Sequence, residues 1–255
     1  MIRWLAAGLL LMGCTDERQL PASDRVTPVP GQIVEVSVPF RDSVATAFVQ
    51  DPDSVLARMT PGAGPDDVRI AAALMETAHG EAKLQFVHYA VNQGARAVPA
   101  LVSVIERSND WQTLVSTIQT LGKMKAASSV TAVSQHLHTP NNWVRMAAAH
   151  ALGEMNGDLA RQALVSALAD TADTVVSAAL VGLGKLGERS ATLECARLLD
   201  HDNPRVRAAA VSAIGRLGRA EDALLLDRLR EDPDSGVRYK VGQAVARIRA
   251  GTIEP

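Results

Sequence analysis

The side chains that could ligate a metal ion or act as nucleophiles are few in this sequence, and their spacing fits neither task. Six histidines and two cysteines are spread along 255 residues. His136 and His138 are two positions apart, so on a helix they would point in different directions. Cys195 aligns with apolar positions, which indicates a small buried side chain. We therefore predict no metal site, no cofactor and no catalytic residue.

One arginine recurs at a fixed register, as Arg145, Arg207 and Arg238. A ladder of such cations could hold an acidic partner. The alternative is that each arginine pairs with a carboxylate or a carbonyl in the turn of the adjacent repeat, and we favour this structural role. The candidate acids are Asp170, Asp200 and Asp232.

A mixed apolar and cationic pattern also recurs, near the end of the chain. Leu193 and Leu224 are 31 residues apart and lie off the inward stripe of their predicted helices. Arg197 and Arg228 follow them by four residues, on the same side. Arginine beside exposed apolar area is typical of binding surfaces, so we predict that these four residues bind a partner. The alternative is that the leucines pack against a neighbouring helix.

The first 14 residues predict a lipoprotein signal peptide. Arg3 provides a positive start, and the apolar run that follows is too short to span a bilayer. Leu11–Cys14 resembles a bacterial lipobox, which implies that Cys14 is lipidated and begins the mature chain. An ordinary signal peptide or a short anchor is the alternative. We expect a lipid-anchored, periplasm-facing protein of the bacterial cell envelope, and Thr15 favours the outer membrane.

The elements that must position these residues come from an internal repeat of 31 residues. Within one unit, apolar residues recur at helical spacing from Val144 to Met155. Glycine recurs in the same register at Gly122, Gly153, Gly184 and Gly215. Because glycine within a helix costs about 1 kcal/mol relative to alanine, its recurrence predicts a helix crossing too close for a β-carbon. We also expect Gly157 to end the first helix of its unit as a left-handed cap.

These units resemble HEAT-like repeats of the short bacterial type that is also seen in phycobilin lyase subunits. The matching motif is Val-Arg, an alanine run and Leu-Gly, from Val144 to Gly153 and again from Val206 to Gly215. The copy at Val175 departs from it, because Val176 replaces the arginine. The resemblance covers roughly residues 80–250. It implies an all-α fold, a right-handed α-solenoid of HEAT-like helix pairs.

We divide the chain into three segments. Residues 1–14 are the signal peptide. Residues 15–65 hold seven of the twelve prolines and are predicted to be a tether, with a possible short strand at Ile33–Val38. Residues 66–255 form the HEAT-like repeat domain.

We expect a non-catalytic scaffold or adaptor, anchored to the envelope by its N-terminal lipid, that binds a protein or peptide along the solenoid. The net charge of −2 and the envelope address argue against nucleic acid as a partner. The alternative is a HEAT-like enzyme or a cofactor-handling protein related to the lyases. An enzyme should show a deep polar pocket with converging titratable groups, whereas a scaffold should show an open groove.

Overall fold

A computed structural model describes residues 91–92 and 94–251, which lie in one compact unit of the chain. Cys14, the proline-rich segment and the part of the predicted repeat domain before residue 91 lie outside the described residues. The α-helices are α1 (Val98–Arg107), α2 (Trp111–Lys123), α3 (Val130–Gln135), α4 (Asn142–Leu152), α5 (Asp158–Ala167), α6 (Asp173–Leu186), α7 (Thr192–Ala196), α8 (Pro204–Leu217), α9 (Ala223–Asp227) and α10 (Ser235–Gly251).

Helices alternate between a long first helix and a shorter second helix, so that each repeat is one pair. The first helices α2, α4, α6, α8 and α10 pack in series, each against the one before and the one after. The second helices α3, α5, α7 and α9 pack on the first helices, and most of them continue into a short 3-10 turn. The described residues contain no strand. The predicted all-α solenoid with a 31-residue period is confirmed.

Side-chain caps begin most of the first helices. Asp110, Asn141 and Asn203 accept hydrogen bonds from backbone N–H groups two or three residues later. Asp234, directly before α10, accepts in the same way from the N–H of Val237 in the first turn of that helix. These bonds satisfy helix N–H groups that have no partner within the helix. Ala172 occupies the same register before α6 and provides no such bond.

The prediction that Gly157 ends the first helix of its unit is wrong. Helix α4 ends at Leu152, because Glu154 and Met155 donate to the carbonyls three residues back and tighten the chain into a turn. Gly157 lies directly before α5, with φ of +122°, a backbone conformation that favours glycine. A left-handed glycine cap does end α6, at Gly187.

The recurring glycines lie where neighbouring first helices touch backbone to backbone. A β-carbon on Gly122 would lie 2.8 Å from the Cα of Ala151, and one on Gly215 would lie 2.8 Å from the Cα of Ala244. One on Gly153 would overlap Gly182. The predicted close crossing is therefore present. In α10 the glycine register holds Ala246, which is exposed.

Two of the recurring arginines, Arg145 and Arg207, join the turns of consecutive repeats, whereas Arg238 donates to two carbonyls of its own turn. Arg145 donates from Nε and Nη2 to both carboxylate oxygens of Asp170, at 2.7 and 2.9 Å. Its Nη1 donates to the carbonyls of Thr139 and Pro140, in the turn before its own helix. Arg207 makes the same pair of bonds to Asp232, at 2.9 and 2.8 Å, and also binds two carbonyls of its own turn. The structure thus supports the structural role of this arginine register.

The repeat that lacks the arginine also lacks its acid. Val176 replaces the arginine, and His201 stands where Asp170 and Asp232 stand in the neighbouring repeats. His201 Nδ1 accepts from the Asn203 N–H at 3.1 Å, and Asp232 accepts from the Asp234 N–H in the same way. His201 therefore keeps the local turn, and its Nε2 lies 3.7 Å from Asp173 Oδ1.

We predict that Gly153→Ala lowers the free energy of unfolding by about 1–3 kcal/mol, because the added methyl group overlaps the backbone of α6. Gly242→Ala in α10 is the control, since nothing lies within 4 Å of a β-carbon there. It should gain about 0.5–1 kcal/mol from helix propensity. Urea unfolding measures both. Equal changes in the two variants would contradict the close crossing.

We predict that Arg207→Val costs about 3–5 kcal/mol, because Asp232 is then left buried and charged without its cation. Adding Asp232→His reproduces the Val176 and His201 pair of the preceding repeat. The double variant should recover about 1–3 kcal/mol relative to the sum of the single changes. Urea unfolding of the two single variants and the double variant measures this coupling, and strictly additive costs would disprove it.

The same ion pair predicts a pH dependence. The guanidinium of Arg207 holds the pKa of the Asp232 carboxyl below its ordinary value. Its contribution to stability is therefore complete above the unfolded pKa of about 3.9 and is lost as the pH falls through the lowered pKa of the folded state. The stability difference between the wild type and Arg207→Val should shrink in acid. A difference that is constant from neutral pH to pH ~3 would exclude this linkage.

Candidate partner-binding surface

Two leucines of the second helices face solvent in the same register. Leu193 on α7 is 70% exposed and Leu224 on α9 is 73% exposed. Cys195 and Leu226, two residues later on the opposite side, are fully buried. The leucines therefore do not pack against a neighbouring helix. Whether a partner covers them remains a prediction.

The two arginines of this surface are also exposed, but their surroundings differ. Arg228 Nη1 lies 2.9 Å from Asp200 Oδ2, with about half or more of each side chain in solvent, so the pair adds little stability. In the repeat of Arg197, Ala169 occupies the position that Asp200 occupies in the repeat of Arg228. Arg197 therefore makes no ion pair with any other described residue. We name Leu193, Arg197, Leu224 and Arg228 together the leucine–arginine patch.

The apolar part of the patch is confined to two adjacent repeats. The same register holds Gln162 on α5 and Thr131 on α3, both exposed and polar. The sequence analysis did not single out Leu159, which is 62% exposed at the start of α5. Its apolar character breaks the pattern of its own register, where Ser190 and Glu221 follow. That break was the signal available in the sequence.

The side chains that could act as nucleophiles or metal ligands are either buried or far from one another. Cys195 is fully buried, and burial raises the pKa of its thiol to about 12, so it stays protonated at neutral pH and is a poor nucleophile. Burial also lowers the pKa of His136 and of His150. Within residues 91–92 and 94–251, His, Cys, Asp and Glu side chains form no group of three or more that could hold a metal ion.

None of the described helices combines the length and the apolar character needed to cross a bilayer.

An arginine-lined cleft is the second notable surface feature, and the sequence analysis missed it. It is open, holds about 430 Å³, and lies between the end of α8, the turn after it and the last turns of α10. Arg189, Arg216, Arg219 and Arg247 line it, and Glu221 is the one carboxylate among its lining residues. We name it the arginine cleft.

The comparison with solved structures shows the fold. A designed armadillo repeat protein in complex with the peptide (KR)4 is 14% identical with a TM-score of 0.51, and the match covers 71% of this chain and 99% of that one. An engineered protein is 16% identical with a TM-score of 0.50, covering 83% and 99%. The complex of CpcE and CpcF of phycocyanin lyase from Nostoc sp. PCC7120 is 23% identical with a TM-score of 0.49, covering 72% and 77%.

The comparison with curated proteins finds no match. The comparison with protein families is decisive by contrast. HEAT repeats match residues 98–184 and 177–246, which together are more than half of the 255 residues. These ranges contain the glycine register, the arginine register and the leucine–arginine patch. The chain belongs to the HEAT-repeat family.

Proposed function

We propose that this protein is a non-catalytic scaffold, held to the bacterial cell envelope by a lipid on Cys14, that binds a protein or peptide through the leucine–arginine patch. The observation that carries the proposal is the exposure of Leu193 and Leu224 in one register of adjacent second helices. Each of these leucines is more than two-thirds exposed. Together they present apolar surface that a partner can remove from water.

The chemistry of the patch indicates the kind of partner. Arg197 has no counterion within the described part of the chain, and the counterion of Arg228 is itself mostly in solvent. Both guanidinium groups are therefore available for planar, two-point bonds to carboxylates. A segment that presents an apolar side chain with a carboxylate about one helical turn away would match the patch. The designed armadillo repeat protein of similar fold is in complex with the peptide (KR)4, which supports a peptide partner here.

We propose a non-catalytic role because the described residues present open surfaces for binding and no evident nucleophile or proton-transfer group beside them. The thiol of Cys195 is buried and protonated at neutral pH. The arginine cleft converges cations, and arginine does not exchange protons near neutral pH. The open surfaces suit binding better than turnover.

We predict that Leu224→Ser combined with Arg228→Glu abolishes partner capture without unfolding the protein. Both side chains are exposed, so the fold should tolerate the change within about 0.5–1 kcal/mol. A photo-crosslinking residue at position 162, exposed in the same register of the preceding repeat, reports the partner of the full-length protein in membranes. The crosslinked species should disappear in the double variant, while circular dichroism stays unchanged.

The matched control is Trp143→Ser combined with Arg205→Glu. It removes an exposed apolar side chain and reverses one charge, at the start of two first helices and away from the patch. It should keep the crosslink. Loss of the crosslink in both variants, or in neither, would move the binding site elsewhere.

We predict that Cys14→Ala prevents lipidation, because the lipid is attached to the sulfur atom of this cysteine. Metabolic labelling with palmitate followed by membrane fractionation tests this. The wild type should be labelled and sediment with membranes, and the variant should be unlabelled. Replacement of Cys195 by Ala is the control, since a buried thiol should carry no label. Equal labelling of the wild type and Cys14→Ala would show that the lipobox interpretation is wrong.

A further inference from the structure

The described residues form no ion pair with the cations of the arginine cleft. Among the described residues, Arg189, Arg216, Arg219 and Arg247 make no ion pair, although six pairs between other arginines or lysines and acids form in the same part of the chain. Glu221, the carboxylate in the lining, bonds none of them. Four guanidinium groups around one concavity repel each other, so the cleft favours an anionic occupant.

The repeat pattern explains how this charge accumulates. One register, directly after the glycine register, holds Lys123, Glu154, Lys185, Arg216 and Arg247. Lys185 pairs with Glu154 of the preceding repeat. Arg216 and Arg247 have no acid in the register to pair with, so two cations remain at the end of the row. The stem of Arg216 lies over Gly184, since a β-carbon there would be 3.2 Å from Arg216 Cδ.

The cleft continues as a groove between α8 and α10. A second, smaller depression shares Arg216 and Arg247 with the cleft and adds Lys240 and Gln243. Lys240 stands in a register that holds buried alanines in earlier repeats, at Ala147, Ala178 and Ala209. Lys240 is exposed, its Nζ donates to Gln243 Oε1 at 3.4 Å, and its ammonium adds a fifth cation to the surface.

The length of this surface selects among anions. From Lys240 to Gly251 it follows α10 for about 16 Å, at 1.5 Å per helical residue. An extended peptide of about five residues spans that distance, at roughly 3.3 Å per residue. A single phosphate fills only part of it. A flat bilayer surface cannot reach all the cations that line a concave cleft.

We propose that the arginine cleft and its groove bind an acidic peptide segment, about five residues long and rich in Asp and Glu. The guanidinium groups hold the carboxylates by paired hydrogen bonds. Ile248 and the backbone of Gly215 and Gly218 provide a floor against which the peptide backbone packs. This site depends on none of the four residues of the leucine–arginine patch, so either can fail without the other.

The experiment is fluorescence polarisation of a labelled hexapeptide of alternating Glu and Asp, with the full-length chain in detergent. Binding should weaken steeply between about 0.02 and 0.3 M salt, because ions screen exposed charges. Arg216→Gln with Arg247→Gln keeps the Cβ, Cγ and Cδ atoms of each side chain and removes two charges. It should lower the affinity at least about tenfold, while circular dichroism is unchanged. A peptide of alternating Lys and Arg should not bind.

Lys123→Gln with Arg205→Gln is the matched control, because it removes the same two charges and both cations are exposed and lie outside the cleft. It should bind like the wild type, as should Leu224→Ser with Arg228→Glu. An equal loss in the Lys123 and Arg205 control would overturn the proposal, since only overall charge would matter.

Three competitors separate the other anions. If inorganic phosphate displaces the peptide at equal concentration, the site binds a single anion and the peptide proposal is wrong. Vesicles of phosphatidylcholine with phosphatidylglycerol, compared with phosphatidylcholine alone, would overturn the proposal if they bind through Arg216 and Arg247 and the peptide does not. A single-stranded oligonucleotide that binds more tightly than the peptide at the same residues would do so too.

Discussion

The backbone-to-backbone contact between neighbouring first helices is the constraint on which the other features depend. Gly122, Gly153 and Gly215 leave no room for a β-carbon, so the helices that face them approach as closely as their main chains allow. At this separation alanine fills the interface, which agrees with a core of small residues and only 3% aromatic residues. The close stacking also brings the turns of consecutive repeats within reach of one arginine side chain, as between Arg145 and Asp170.

In the repeat where Val176 replaces the arginine, the ion pair between consecutive turns is absent and no buried carboxylate is left unpaired. Removing only the arginine would have left a mostly buried carboxylate without its cation in the next turn, which is strongly destabilising. In this chain the acid is replaced as well, and His201 maintains the turn through its Nδ1. Asp173 then provides a substitute link, accepting a hydrogen bond of 2.6 Å from the Asn203 amide. Arginine and acid therefore behave as one unit of the repeat.

The sequence predicted what the repeat imposes and missed what tertiary placement adds. The glycine register and the outward position of Leu193 follow from helical period, because one environment recurs every 31 residues. The end of α4 was misplaced, since cap propensity at Gly157 does not reveal that hydrogen bonds to the third residue back close the helix earlier. The arginine cleft was missed because Arg189, Arg219 and Arg247 come from separate segments and different registers. Partner binding at the leucine–arginine patch stays a prediction.

The glycine register has a further consequence at α10, where Ala246 takes the place of glycine and lies exposed. The earlier first helices meet through bare backbone at Gly122, Gly153 and Gly215, so each pair packs main chain against main chain. The methyl group of Ala246 occupies the equivalent position on α10, and another helix laid against this face would be held off by the width of a β-carbon. The depth at which a helix can pack on this array is therefore set, repeat by repeat, by the presence or absence of one carbon atom.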